Sequence, residues 1–249
     1  MVQTTRAPSL SQQAYDALRR DLIGGELEPG TKLMIADLQS RYTLGAMPLR
    51  EALNRLSAEG MVDKSDQRGF FVPALNHGDY LDIQNARIAV EAAALRETVA
   101  ERTAEWEDQM VVCMHRLRRA GPAADAKDMQ FIFSDAWAES HRKFHMTLIS
   151  GCSNTRLLAF AENLFEQSAR YRMRRRKLSF LRAPVRDRLV EEHATILDAA
   201  LAGEADTAVE RLVDHYRYSV EFVLGRPVDL SADKSRFLVF KDTDDGSSE

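Results

Sequence analysis

Six histidines occur in the 249 residues, and four of them fall in helical patterns that turn them inward. His141 and His145 stand i, i+4, on one face of a helix and about 6 Å apart along its axis. Phe144, Leu148 and Ile149 share or border that face, so it points to a core. His193 keeps company with Leu189, Ile196, Leu197 and Ala200, and His215 with Leu212, Ser219 and Phe222. Three helices thereby aim four imidazoles at one interior. One buried histidine is ordinarily a satisfied core residue. Four together are costly to bury without a shared purpose, and neutral imidazole is the commonest ligand for zinc, nickel and related ions. His77, in a short polar stretch, reads as a surface residue, and His115 only borders an apolar stripe.

The same residues fit metal catalysis poorly. His141 and His145 have the spacing of a zinc-protease helix, but Arg142 stands where the catalytic glutamate belongs. No Glu-x-x-His pair supplies a carboxylate di-iron bundle, and no Cys-x-x-Cys is present. Without a general base beside the histidines, the pattern favours binding over catalysis. Arg87 lies among Tyr80, Ile83, Val90 and Ala94, with Glu91 one turn on, so its guanidinium faces inward. An inward arginine beside a metal is a ready clamp for a carboxylate. Arg170 and Arg172 are further candidates. The run Arg174 to Lys177 that follows them suits a solvated helix end.

The elements that must position these groups form an almost wholly helical half. Helices are expected near 79–103, 105–120, 126–150, 154–178, 186–202 and 205–224, broken at Gly121-Pro122, Gly151 to Asn154, Ala183-Pro184 and Gly203. The tail from Pro227 either pairs as an edge strand at Arg236–Lys241 or trails, and Asp242–Glu249 reads as disordered. No apolar run is long enough to span a membrane, and no secretory signal opens the chain. Two cysteines, Cys113 and Cys152, make no disulfide framework, which fits a reducing cytoplasm. The net charge is −4. Residues 1–73 hold nine basic and nine acidic side chains, so any affinity for DNA must come from local placement.

The first 73 residues carry a different pattern. Leu49, Ala52, Leu53 and Leu56 make the inward stripe of a short helix that ends at Gly60, with Pro48 at its first position. Its outer face carries Arg50, Asn54 and Ser57, with Glu51 and Arg55 beside them and Met47 as a further DNA-contact candidate; an exposed arginine and asparagine one turn apart suit phosphates and base edges in a major groove. Helices near 10–23 and 35–42 precede it. Two extended pieces follow, Met61–Lys64 and Gly69–Pro73, whose connecting tip presents Arg68 and Gly69. Three helices and a hairpin make a winged helix-turn-helix.

Residues 10–73 resemble the DNA-binding domain of the GntR family of bacterial regulators. The resemblance rests on Gly25-Glu26-Leu27-Glu28-Pro29-Gly30, Pro48-Leu49-Arg50-Glu51-Ala52-Leu53, Glu59-Gly60-Met61-Val62 and Arg68-Gly69-Phe70-Phe71-Val72. It implies that Arg50 reads the operator and that Gly69 approaches the minor groove. Where the family has Ser/Thr-Arg-Thr, this chain has Gly45-Ala46-Met47, which implies a different operator or a readout shifted to Arg50, Asn54 and Arg68. The helical half is similar to the FCD domain of the FadR subfamily, through Arg87-x-x-x-Glu91, Phe144-His145-x-x-Leu148, Asn154-x-x-Leu157, His193-x-x-Ile196-Leu197, Gly203-Glu204-Ala205 and His215. That domain implies a divalent metal held by one aspartate and three histidines. His145, His193 and His215 match the histidines, and His141 stands where the aspartate belongs. Met47 to Arg50 and Gln167 to Arg172 look most like regulators of glutarate and hydroxyglutarate breakdown.

The expected protein is mainly α. A flexible 1–9 leads into a winged helix-turn-helix over 10–73. A linker over 74–78 joins it to an all-helical bundle over 79–226, and a tail occupies 227–249. The expected function is a cytoplasmic homodimeric regulator, a repressor by resemblance. It would bind a palindromic double-stranded operator and answer to a small organic acid, such as glutarate or a hydroxy acid. The acid would be held by Arg87, Glu91, Arg170 and Arg172 near zinc, with nickel as the alternative metal. A metal-dependent enzyme with an accessory winged helix and an architectural DNA binder are the competing readings; the first lacks a base and the second gives the histidines no use.

Overall fold

The computed structural model describes residues 8–120, 135–178, 184–225, 228–229 and 239–240. Two compact units divide between Asn76 and His77, and Ala169–Arg174 group with the first.

The first unit opens with α1 (Leu10–Gly24), started by Ser9, whose side chain accepts the Gln12 N–H. The short β1 (Lys32–Leu33) leads into α2 (Ile35–Tyr42), and Thr43 at φ 55° turns the chain toward α3 (Ala46–Ala58). Helix α3 begins two residues before Pro48, which therefore sits third in the first turn, still where a missing N–H costs nothing. Strands β2 (Asp63–Ser65) and β3 (Gly69–Phe71) form the wing. β1 joins them in a three-stranded antiparallel sheet ordered β1-β3-β2, with Lys32 opposite Phe71 and Asp63 opposite the same residue on the other side. Gly69, at φ +95°, takes the left-handed turn that brings the wing back. Leu18, Leu22, Leu49, Leu53, Leu56 and Phe70 form the centre of the core beneath these elements. Each buried leucine is worth about 1.5–3 kcal/mol.

The second unit is helical: α4 (His77–Ala100), α5 (Ala104–Ala120), α6 (Asp135–Leu148), α7 (Thr155–Leu178), α8 (Pro184–Leu201) and α9 (Ala205–Leu224). Helix α4 starts at His77, inside the expected linker. Helix α6 is described only from Asp135; the expected start near 126 and the break at Gly121-Pro122 lie outside the described residues. α4 packs on α9, α5 on α6 and α8, and α8 on α9. Gly151 lies where a Cβ would come within 2.9 Å of Thr98 Cγ2, so the turn after α6 presses directly on α4. In the tail, β4 (Val228–Asp229) pairs antiparallel with β5 (Val239–Phe240), which settles the edge-strand alternative. Asp242–Glu249 lie outside the described residues. No helix among the described residues is long and apolar enough to cross a membrane.

Asp21 ties α1 to the end of α2. Its carboxylate accepts from Arg41 Nε at 3.0 Å, Arg41 Nη2 at 2.7 Å and the Tyr42 hydroxyl at 2.9 Å. Asp21→Ala leaves an exposed arginine and a half-buried phenol without their acceptor. It is expected to destabilise the head by roughly 1–3 kcal/mol, read as a lower urea midpoint for loss of its helical signal. Burial, and then the bond to Asp21, push the Tyr42 phenol above its ordinary value. A raised folded value means that this contribution is complete below about pH 10 and is lost as pH rises further. Urea midpoints measured from pH 9 to 11 should fall more steeply in the wild type than in Tyr42→Phe.

Candidate functional site

Helix α6 supplies His141 and His145 one turn apart, α8 supplies His193, and α9 supplies His215. Each is 4% exposed or less. One ring nitrogen from each converges, all four atoms lying within 4.8 Å of one another. His145 Nε2 is 3.2 Å from His141 Nε2 and 3.3 Å from His193 Nε2. Trp137 stacks on His141 at 4.5 Å, and Phe144 stands edge-on to His193 at 5.0 Å. These rings hold the imidazoles in place from the apolar side.

The outer nitrogens show what the inner ones can do. His193 Nδ1 lies 2.6 Å from the Leu189 carbonyl, which can only accept, so the proton is on Nδ1 and the Nε2 lone pair faces inward. His215 Nδ1 meets Glu192 Oε2 at 3.2 Å, which turns its Nε2 to the same centre. Burial, and then the neighbouring imidazoles and Arg87, hold His145 well below the ordinary histidine value, so it is neutral at pH 7. Lone pairs aimed at one another repel unless a cation lies between them, and His145, held neutral, does not take up a proton to supply one. Around zinc at 2.0–2.1 Å from each ligand, neighbouring nitrogens of a tetrahedron stand about 3.3 Å apart, which is the spacing of the two close pairs. The donor set therefore fits a divalent ion, with outer partners fixing His193 and His215 as they do in metal sites.

Against this cluster lies a buried charge network. Arg87 (1% exposed) donates from Nε to Glu91 Oε1 at 2.8 Å, from Nη1 to Ser168 Oγ at 3.2 Å and Gln84 Oε1 at 3.5 Å, and from Nη2 to the Tyr216 hydroxyl at 2.8 Å. Its guanidinium lies over the rings of Phe165, at 4.9 Å from the centroid, and Tyr216, at 4.4 Å. Burial works against its charge, but Glu91 and then Tyr216 outweigh that and keep it charged. The Tyr216 hydroxyl donates to Glu91 Oε2, which lies 3.8 Å from His145 Nδ1. Gln84 Nε2 is buried with no acceptor among the described residues. Burial also pushes Glu192 up to about 7, although Arg188 donates to it. Sequence reasoning missed Gln84, Ser168, Glu192 and Tyr216. The available signals were the adjacency of Glu192 to His193 and of Tyr216 to His215.

The remaining candidates are spread more widely. Arg170 is 6% exposed and donates to the Pro73 carbonyl at 2.7 Å, within the first unit. Arg172 is half-buried. The side chains of Arg174 to Lys177 lie outside the described residues. On α3, Met47 and Arg50 are exposed. Asn54 Oδ1 accepts from Lys64 Nζ at 3.0 Å, and Arg55 bonds Glu59 and Gln12 while stacking 3.8 Å above Tyr15. Arg68 is exposed at the wing tip, bonded to Ser65 Oγ beside Gly69.

Residues 10–72 match the model of the bacterial regulatory proteins of the gntR family, and residues 82–218 match the FCD domain. The chain belongs to the GntR family of regulators, in its FCD-containing branch. It is 36% identical over 215 residues to the HTH-type transcriptional regulator BphR of Paraburkholderia xenovorans, covering 86% of this chain and 85% of that protein. It is 34% identical over 205 residues to the HTH-type transcriptional repressor GlaR of Escherichia coli K12, covering 82% of this chain and 91% of that one. The solved structure of E. coli McbR/YncC shares the fold, with a TM-score of 0.72 over 88% of this chain and 98% of that one at 19% identity. The winged helix thus makes this GntR member a DNA-binding transcriptional regulator; its relatives are regulators and not enzymes.

A buried ion pair is most costly when only one partner is removed. Arg87→Met leaves Glu91 charged and buried, and should cost about 3–5 kcal/mol in chemical denaturation. Adding Glu91→Met to it should recover most of that loss. A double variant no more stable than Arg87→Met would show that the pair is not what holds this network together.

Proposed function

We propose that this GntR regulator is a homodimeric repressor of a palindromic operator, and that a small organic acid bound near a metal in the FCD domain weakens its hold on DNA. The observation that carries this reading is the convergence of four buried, inward-facing imidazoles in the same chain as a winged helix. His141, His145, His193 and His215 would hold the ion, zinc in the first instance with nickel as the alternative. A bound divalent ion supplies a fixed positive charge that attracts a carboxylate. Glu91 orients His145, and Glu192 orients His215. Arg87 and Gln84 provide buried donors on one face of α4, and Gln84 Nε2 is still in want of an acceptor. A dicarboxylate such as glutarate, or a hydroxy acid, supplies acceptors of the right charge. The repressor GlaR among the relatives supports the sign of regulation. Effector and operator affinities are then coupled reciprocally, and the dimer's two-fold symmetry is mirrored in the half-sites.

Protein purified without chelator should contain about one divalent ion per chain, and His193→Ala should lower metal affinity at least tenfold. Glutarate should weaken binding of the wild type to its own promoter fragment by roughly 5–150-fold in fluorescence anisotropy and leave the His193→Ala protein unchanged. Wild-type protein free of divalent ions after metal loading would remove the metal from the account. DNA affinity indifferent to glutarate, to hydroxyglutarate and to their shorter and longer homologues would remove the acid.

A further inference from the structure

We propose that Met47 reads the 5-methyl group of a thymine in each operator half-site, one turn before Arg50. The inference rests on DNA binding by the winged helix and on neither the metal nor the acid. Met47 is 76% exposed, the most exposed large apolar side chain among the described residues. It stands in the first turn of α3, the second helix of the helix-turn-helix, whose N-terminal residues meet base edges in this motif. Much of the rest of that face is already engaged within the head. Glu51 accepts from Ser11 Oγ at 2.5 Å, Asn54 accepts from Lys64, and Arg55 is held by Glu59, Gln12 and Tyr15. Before Met47 come Gly45, which makes no side-chain cap, and Ala46, neither with a side chain that can reach a base. The helix start therefore offers two side chains with reach and freedom, Met47 and Arg50.

Their chemistry is complementary. Arg50 can address guanine O6 and N7 as a fork. Met47 has only methylenes, a weakly accepting sulfur and a methyl group. In the major groove thymine alone presents an apolar group. Cytosine at that position would put its amino donor against a thioether and lose its water. Met47 and Arg50 are three residues apart, about 4.5 Å along the helix axis, against about 3.4 Å per base step. The thymine should lie next to the guanine read by Arg50, or one base pair beyond it.

The probe is the duplex that the full-length wild-type chain enriches from a random-sequence pool. Each thymine in one half-site is replaced in turn by deoxyuridine, which keeps base pairing and removes only the methyl. The expected result is one thymine, within two base pairs of a guanine sensitive to 7-deazaguanine, whose replacement weakens wild-type binding about fourfold, the worth of one buried methyl group. Met47→Ala should bind the thymine and uracil duplexes equally. Arg50→Ala should keep the preference for thymine while losing sensitivity to 7-deazaguanine. Met47 is exposed and alanine is the better helix former, so the variant keeps its fold. A wild type indifferent to deoxyuridine at every thymine would overturn the proposal, as would a thymine preference that persists in Met47→Ala.

Discussion

Four buried imidazoles with a ring nitrogen from each turned on the others constrain how the helices of this domain can meet. Each ring must be both buried and correctly turned, and a different device turns each. His193 folds back on its own helix and gives its outer proton to the Leu189 carbonyl, so its orientation follows from α8 itself. His215, on α9, is turned by Glu192 from α8. His145 meets the Glu91–Tyr216 pair of α4 and α9. His141 is positioned by stacking on Trp137 of the same helix. Slippage of α8 against α9 by a single residue would separate His193 from His215 and Glu192 from its partner. The cluster thus fixes helix register in a way that a leucine core, tolerant of repacking, does not.

The charge balance of this interior is informative. Arg87 and Glu91 cancel, and burial with its neighbours keeps His145 neutral. Where the family has an aspartate among its ligands, this chain has His141. On the proposed reading a divalent ion therefore brings two positive charges that no protein ligand offsets. In a site of low dielectric that excess is costly, and an anion that enters relieves it. The same substitution that removes a negative ligand makes an acid more welcome, and Gln84 Nε2, with no acceptor among the described residues, points to the same need.

What the sequence disclosed and what it withheld divide along a physical line. The inward faces of α4, α6, α8 and α9 are legible because helical periodicity alone decides which residues share a face. The four histidines and the Arg87–Glu91 pair were found that way. Periodicity does not say which residue of a neighbouring helix will meet that face, so Tyr216, Ser168 and Glu192 went unnoticed. The same limit bears on Arg55 and Arg170. Their types suit anions, but Arg55 is held on Tyr15 of α1 and Arg170 on the Pro73 carbonyl, partners 40 and 97 residues away in sequence. Strand β1 is two residues long and carries no alternation to recognise; the sheet exists because β3 offers it an edge. The winged helix itself was legible from its glycines and its inward leucines, both of which are local signals.

Arg55 shows how little of a recognition helix is free to recognise. By clamping α3 to α1 through Tyr15, Gln12 and Glu59 it fixes the angle at which the helix leaves the head. That rigidity means base-edge side chains arrive already oriented, and little ordering entropy is lost on binding. It matters here because the segment 1–73 carries no net charge. A neutral head releases few counterions and gains little sequence-independent affinity. Discrimination between sites then rests on the few side chains that touch bases. It rests also on the second copy of the head that a dimer would place on the other half-site. On the proposed reading, a dimer of such heads would depend on their spacing more than a strongly cationic protein does.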